Sequence, residues 1–112
     1  MNIKSSGKML GFSSGREVVM PYNIKKFIQI DDVASVLLSI PNGKIYNENI
    51  IFVSESHPER YWHVEAIYPD DVDAPFVEIE KDGLMLIAYT WAGERVSVDP
   101  ASGRILSRRF TK

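Results

Sequence analysis

The chain has 112 residues, of which 45% are hydrophobic and 25% are charged, and its 13 basic and 15 acidic side chains leave a net charge of −2. This composition argues against disorder, and the mild charge argues against nucleic acid as a direct partner. Because the chain contains no cysteine, disulfide scaffolds, zinc–thiolate sites and cysteine nucleophiles are excluded. We predict one domain over residues 1–112.

Short apolar runs with β-branched residues mark the N-terminal half. Residues 18–20 and 50–53 are two such runs and are typical of strands. The run at residues 33–40 is ambiguous, because its apolar residues fit both helical i, i+3, i+4, i+7 spacing and strand alternation. Its short length and its valines favour the strand, and the helix stays open as the alternative.

Turn signals recur about every ten residues in the C-terminal half, a spacing typical of all-β folds. Asp82-Gly83, Ala92-Gly93 and the Asp-Pro-Ala-Ser-Gly segment at 99–103 separate apolar runs. The run at 61–68 alternates and predicts a strand, whereas the run at 84–91 is apolar on both faces and predicts a central strand covered on both sides. We therefore predict a single antiparallel β-sandwich or half-barrel of about eight to ten short strands.

Residues that could carry catalysis or bind a metal ion are few. The two histidines, His57 and His63, are six positions apart, which matches no ligand motif, and a zinc site usually needs three or four ligands. No serine lies in a motif typical of nucleophiles. We predict a protein that is not an enzyme and that holds neither a metal ion nor a cofactor.

Acidic residues concentrate between positions 65 and 82, where seven carboxylates accompany one lysine. They could form a solvated surface, or an anionic surface that docks a cationic partner. Pro69 and Pro75 bracket three of the aspartates and would stiffen their loop. Trp62 could add an aromatic anchor, although its alternation with Val64 favours burial in the core. The predicted partner-binding residues are Trp62, Glu65, Asp70, Asp71, Asp73, Glu78, Glu80 and Asp82.

Basic residues concentrate near the two ends of the chain. Residues 1–26 carry five bases and one acid, and residues 104–112 carry four bases and no acid. Lysine and arginine on an edge strand commonly prevent edge-to-edge pairing, and we interpret these bases in that way.

The stretches at 47–53 (Asn-Glu-Asn-Ile-Ile-Phe-Val), 62–64, 82–91 and 98–106 together resemble small bacterial immunity proteins of polymorphic toxin and contact-dependent growth-inhibition systems. The resemblance covers residues 18–112 and is carried mainly by the hairpin punctuation. Residues 54–60 depart from the tight Asp-x-x-Gly turn of related sequences, which makes this loop a second choice for an interface.

The resemblance implies binding and inhibition of a cognate toxin, with no catalytic residues. We expect a cytoplasmic immunity protein that occludes the active site of a toxin domain, such as a nuclease, through the acidic surface. No signal peptide or membrane-spanning run is apparent, so we expect no membrane partner. The alternative is a structural or ligand-binding β-module, for instance a phage or secretion-system component.

Overall fold

The described part of the chain forms eleven antiparallel strands in three sheets, which confirms the all-β prediction. The computed structural model describes residues 3–110. These residues contain no helix, so none that could cross a membrane. The strands slightly outnumber the prediction, because residues 4–19 form a small sheet of their own in which only the β-branched run at 18–20 gave a strand signal.

The N-terminal sheet has the order β1-β2-β3, with β1 at Lys4–Ser6, β2 at Met9–Gly11 and β3 at Glu17–Val19. Most of its side chains are exposed. Leu10, Phe12 and Met20 are buried and pack against the next sheet. The N-terminal sheet therefore covers one face of the next sheet and contacts it through a few large apolar side chains.

The central sheet has the order β4-β5-β6-β7, with β4 at Ile24–Ile30, β5 at Val33–Leu38, β6 at Ile50–Ser54 and β7 at Tyr61–His63. The strand interpretation of residues 33–40 is confirmed for β5. Every residue of β6, and all but the first of β5, is buried. A strand covered on both faces is apolar at consecutive positions, so strand alternation is lost and a helical spacing appears by chance.

The C-terminal sheet has the order β11-β10-β9-β8, with β8 at Phe76–Asp82, β9 at Met85–Thr90, β10 at Glu94–Val98 and β11 at Ile105–Phe110. The predicted double cover of residues 84–91 is only partly correct. Leu86, Ile87 and Ala88 are buried, but Leu84 and Trp91 are exposed. Both exposed residues lie in the turns that flank β9, beyond the cover of the neighbouring strands.

The central sheet is the middle of three layers. One core lies between it and the C-terminal sheet, with Phe52, Ile79 and Leu86 among its buried residues. A second core lies on its other face, where Val36 and Val53 meet residues of the N-terminal sheet. Because strands β5 and β6 contribute to both cores, the central sheet joins all three layers into one packed unit.

Lysine side chains close one side of the sandwich, where strands β4 and β8 meet. Lys25 Nζ donates to the carbonyl of Val77 at 2.6 Å, and Lys26 Nζ donates to that of Ile79 at 2.8 Å. These bonds satisfy carbonyl groups on the edge strand β8, which pairs only with β9 within the described residues. Strands β4 and β8 therefore cover each other's edges and hinder pairing with a strand of another chain.

The turn at residues 99–103 closes the opposite side. Glu65 donates its backbone N–H to the carbonyl of Gly103 at 2.8 Å, so the chain leaves the central sheet after His63. The predicted strand at 61–68 is therefore wrong beyond His63, and Ala66 is exposed. Gly103 has a φ of 78°, and a Cβ there would clash with the His63 carbonyl, so this approach requires glycine.

Candidate functional site

The structure divides the predicted acidic surface into two groups. The carboxylates of the first group serve the fold by accepting hydrogen bonds: Glu65 from the backbone N–H of Ile105 at 2.9 Å, Glu78 from Lys26 at 3.1 Å, and Glu80 from the Tyr89 hydroxyl at 2.7 Å. The pKa of Glu78 is lowered mainly by the hydrogen bond from the backbone N–H of Ile79 and secondly by the hydrogen bond from Lys26. Asp82 is exposed and ends β8, next to the hairpin turn.

The second group lies on the loop at residues 69–75, which we name the acidic loop. Asp70, Asp71 and Asp73 are all exposed. Within residues 3–110 their side chains form no ion pair and no hydrogen bond. Three carboxylates on one short loop are therefore available to a partner.

The buried side chain of Asn47 holds the backbone of the acidic loop through hydrogen bonds. Its side chain is 6% exposed, and its Nδ2 donates to the carbonyl of Val72 at 2.5 Å and to that of Pro69 at 3.4 Å. Its Oδ1 accepts the backbone N–H of Ala74 at 2.9 Å. A single buried amide thus fixes three points of the loop without using any carboxylate.

A second buried amide fixes the exit of the acidic loop. Asn49 Oδ1 accepts the backbone N–H of Phe76 at 2.8 Å, and its Nδ2 donates to the carbonyls of Phe76 at 2.8 Å and Leu38 at 2.9 Å. The segment before β6 therefore carries two of the side chains that position the loop.

A polar cluster at the end of the C-terminal sheet fixes the entry of the acidic loop. The hydroxyl of Tyr68, which precedes the loop, donates to the carboxylate of Glu94, which is only 2% exposed. Arg108 binds the same carboxylate through Nε at 2.9 Å and Nη2 at 3.1 Å. The bond from Arg108 lowers the pKa of Glu94, and burial raises the pKa of Tyr68.

Trp91 stands in solvent beside the acidic loop. Its side chain is 73% exposed, and its backbone N–H donates to the carbonyl of Pro75 at 2.8 Å. Trp91 and Asp73 line one cleft of about 380 Å³, whose lining also includes Lys25 and Lys44. An exposed aromatic ring therefore shares a cleft with Asp73, one of the three free aspartates.

Trp62, the aromatic anchor considered from the sequence, lies elsewhere. Its ring stacks on Phe52 with 6.3 Å between centroids, and its Nε1 donates to the carbonyl of Pro100 at 2.9 Å. It packs against the core between the central and C-terminal sheets. These contacts give Trp62 a structural role and leave Trp91 as the aromatic residue beside the acidic loop.

The two histidines lie apart from the acidic loop. His63 Nε2 is 2.9 Å from the Tyr46 hydroxyl, and exposed His57 has its Nδ1 3.9 Å from Glu59. In the part of the chain that the structure describes, no three His, Asp or Glu side chains lie close enough together to hold a metal ion.

The sequence analysis missed Asn47, Asn49 and Trp91. No local signal marks Asn47 or Asn49, because their side-chain bonds reach residues 11 to 27 positions away. Trp91 directly precedes the Ala92-Gly93 turn signal, and this position at a strand end indicates exposure.

Comparisons with known proteins agree with this picture of one continuous unit and add no chemistry. No curated protein and no solved structure matches the chain. One family model matches residues 1–110, nearly the whole length. The chain therefore belongs to the family described as domain of unknown function DUF7957.

Proposed function

We propose that this protein is a non-enzymatic binding protein whose acidic loop docks on a cationic surface of a partner protein. One observation carries the proposal: Asn47 holds the loop at three backbone points, and the carboxylates of Asp70, Asp71 and Asp73 have no partner within residues 3–110. A loop that served only the fold would use its charges internally, as Glu78 does.

Preorganisation makes this loop suited to binding. Ordering a flexible loop on association costs free energy, and the hydrogen bonds of Asn47 and Asn49 meet that cost in the free protein. Carboxylates form strong, charge-assisted hydrogen bonds with lysine and arginine. A partner with clustered basic side chains therefore gains both affinity and a faster association rate.

Trp91 supplies the apolar part of this surface. Tryptophan is enriched among residues that dominate interface energies, and such residues are ringed by contacts that contribute little energy but exclude water. The ring of Trp91 adjoins the cleft lined by Asp73. We propose that Trp91 enters a pocket on the partner while the aspartates bind the basic residues around it.

The partner that we propose is a bacterial toxin domain, which makes the protein an immunity protein. This part of the proposal rests on the resemblance of the hairpin segments described above. A nuclease toxin binds phosphates with lysine and arginine, and an inhibitor that covers such a site needs carboxylates in their place. The acidic loop provides them, and the protein would act in the cytoplasm where the toxin acts.

Co-expression with each protein domain encoded beside this chain, a toxin domain above all, tests the proposal. We expect the pair to copurify with a Kd of about 1 nM or tighter, and cells that produce both to survive. The variant Asp70→Asn/Asp71→Asn/Asp73→Asn should lose protection. The control Glu17→Gln/Asp31→Asn/Glu59→Gln removes equal charge on other elements and should keep it.

Two results would contradict the proposal. Absence of a complex with any neighbouring toxin domain would favour the alternative, a structural or ligand-binding β-module. A complex that the loop variant leaves unchanged would keep the immunity function but move the interface away from the acidic loop.

A further inference from the structure

The edge strand β11 is open along most of its length. Within residues 3–110 it pairs only with β10, and every residue from Leu106 to Phe110 is exposed. Leu106 is 57% and Phe110 70% exposed. At the first residue of β11 the backbone N–H is already used, because Ile105 donates it to the carboxylate of Glu65.

The other edge strands of the described chain are short or protected. Strands β1, β3 and β7 have three residues each, too few to support an added strand. Strands β4 and β8 cover each other through Lys25 and Lys26. Strand β11, with six residues, is thus the one long edge that the described residues leave unpaired.

The charge on this edge is positive and is not neutralised. Arg95 on β10 and Arg109 on β11 lie directly opposite each other, an arrangement that is destabilising for like charges. Neither forms an ion pair in the described chain, whereas Arg108 is bound by Glu94. Bases that only prevent edge pairing would not need to face each other within the sheet, beside exposed leucine and phenylalanine.

We infer that β11 binds an extended acidic segment of a partner protein, which adds a strand to the C-terminal sheet. Backbone groups on an open edge bind an added strand through main-chain hydrogen bonds, and its side chains give specificity. Because successive side chains alternate between faces, Arg109 and Phe110 select acidic residues on one face and apolar residues on the other. This site is opposite in charge to the acidic loop and does not depend on its proposed function.

Charge also decides between possible occupants. Pairing of β11 with β11 of a second copy would add arginines to a pair that already repel each other. An acidic segment instead neutralises them. The charge complementarity therefore favours a partner segment with alternating acidic and apolar residues over a second copy of this chain.

The test uses a fluorescent peptide with alternating glutamate and valine, and a control peptide with lysine in place of glutamate. We expect saturable binding of the acidic peptide by fluorescence anisotropy, with amides of residues 106–110 protected from hydrogen exchange. The lysine peptide should not bind. Arg109→Glu should weaken binding about tenfold or more, the effect of a lost charge-assisted hydrogen bond. Lys4→Glu, an equal change of charge on β1, should not.

Circular dichroism checks that the Arg109→Glu variant is folded. As a second measurement on the unaltered protein, raising the salt concentration from about 50 to about 500 mM should weaken binding of the acidic peptide, because salt screens exposed charges. Equal binding of both peptides, or no binding, would overturn the inference. Binding of single-stranded oligothymidylate without the peptide would assign a general polyanion surface instead. A dimer of the free protein that Arg109→Glu alters would assign the edge to a second copy.

Discussion

Two loops of this protein are held in place by different groups. The loop at 54–60 is held by the carboxylate of Asp32, which accepts the hydroxyls of Ser54 and Ser56, each at 2.7 Å, and the backbone N–H of Ser56 at 2.9 Å. Those bonds lower the pKa of Asp32. The acidic loop is held by the neutral amide of Asn47, and its own aspartates remain free.

The two loops differ in whether their own carboxylates are free to serve a partner. The carboxylates of the loop at 54–60 itself already have partners, because Glu55 accepts a hydrogen bond from Gln29 at 3.0 Å and Glu59 lies 3.9 Å from Arg16. An amide can donate and accept at once, so Asn47 satisfies both carbonyl and N–H groups of the acidic loop. This difference favours the acidic loop over the loop at 54–60 as an interface.

Replacing Asn47 should give the largest effect. Asn47→Ala leaves the buried N–H of Ala74 and the carbonyl of Val72 without partners, and we expect a loss of about 2–4 kcal/mol in the free energy of unfolding by urea denaturation. NMR order parameters of residues 69–74 should also fall. Asn42→Ala, at an exposed position, serves as the control. A loss within the error of that control would show that Asn47 does not hold the loop.

Replacing Glu94 should give the next largest effect. Glu94→Gln weakens the bonds to Arg108 and Tyr68, and we expect a loss of about 2 kcal/mol at neutral pH, limited because the Arg108 side chain is half exposed.

The pH dependence sharpens this test. Because the folded pKa of Glu94 lies below its ordinary value of 4.5, its contribution is fully present above pH 4.5 and is lost as the pH falls through the folded pKa. The variant should therefore lose less stability on acidification than the unaltered protein. Parallel pH profiles would show that Glu94 is not the group responsible.

Replacing Asp32 should give a smaller and local effect. Asp32→Ala removes bonds at an exposed site, so we expect a loss of about 1 kcal/mol and faster hydrogen exchange confined to residues 54–57. The affinity for a partner should stay unchanged. A large fall in affinity would instead place the interface on the loop at 54–60.

Replacing Ser35 should give the smallest effect. Its hydroxyl is fully buried in β5 and has no hydrogen-bond partner. Ser35→Ala should therefore leave the stability within about 0.5 kcal/mol or raise it, since an unsatisfied polar group is removed. Ser54→Ala, which removes a bonded hydroxyl, should be destabilising. A marked loss on Ser35→Ala would indicate an unrecognised partner for this hydroxyl.

Local sequence signals predicted the all-β fold because they depend on neighbouring residues. Turn residues such as Asp99 to Gly103 set hairpins through backbone preferences, and the apolar runs between them report burial. The failures have one cause. The incomplete cover of residues 84–91 and the early end of β7 depend on sheets formed by residues far away in the chain, which periodicity does not encode.

The sequence predicted the charged residues of the candidate site but not the buried side chains that hold its backbone. Composition identified Asp70, Asp71 and Asp73, and the flanking prolines indicated a stiff loop. The bonds from Asn47 span 22 to 27 positions, and no local pattern reports such a contact. Contact of Trp62 with the 99–103 turn is likewise distant in sequence, whereas the exposure of Trp91 has a local signal in its position before the Ala92-Gly93 turn.

The most direct test of the central claim is the rate of association with the copurifying toxin domain, measured by stopped-flow fluorescence over a range of salt concentrations. The protein should associate fast at low salt and more slowly as salt increases. Asp70→Asn/Asp71→Asn/Asp73→Asn should associate more slowly and with a much weaker salt dependence, while Glu17→Gln/Asp31→Asn/Glu59→Gln should resemble the unaltered protein. Identical rates and salt dependence for the loop variant and the unaltered protein would contradict the claim that the acidic loop is the docking surface.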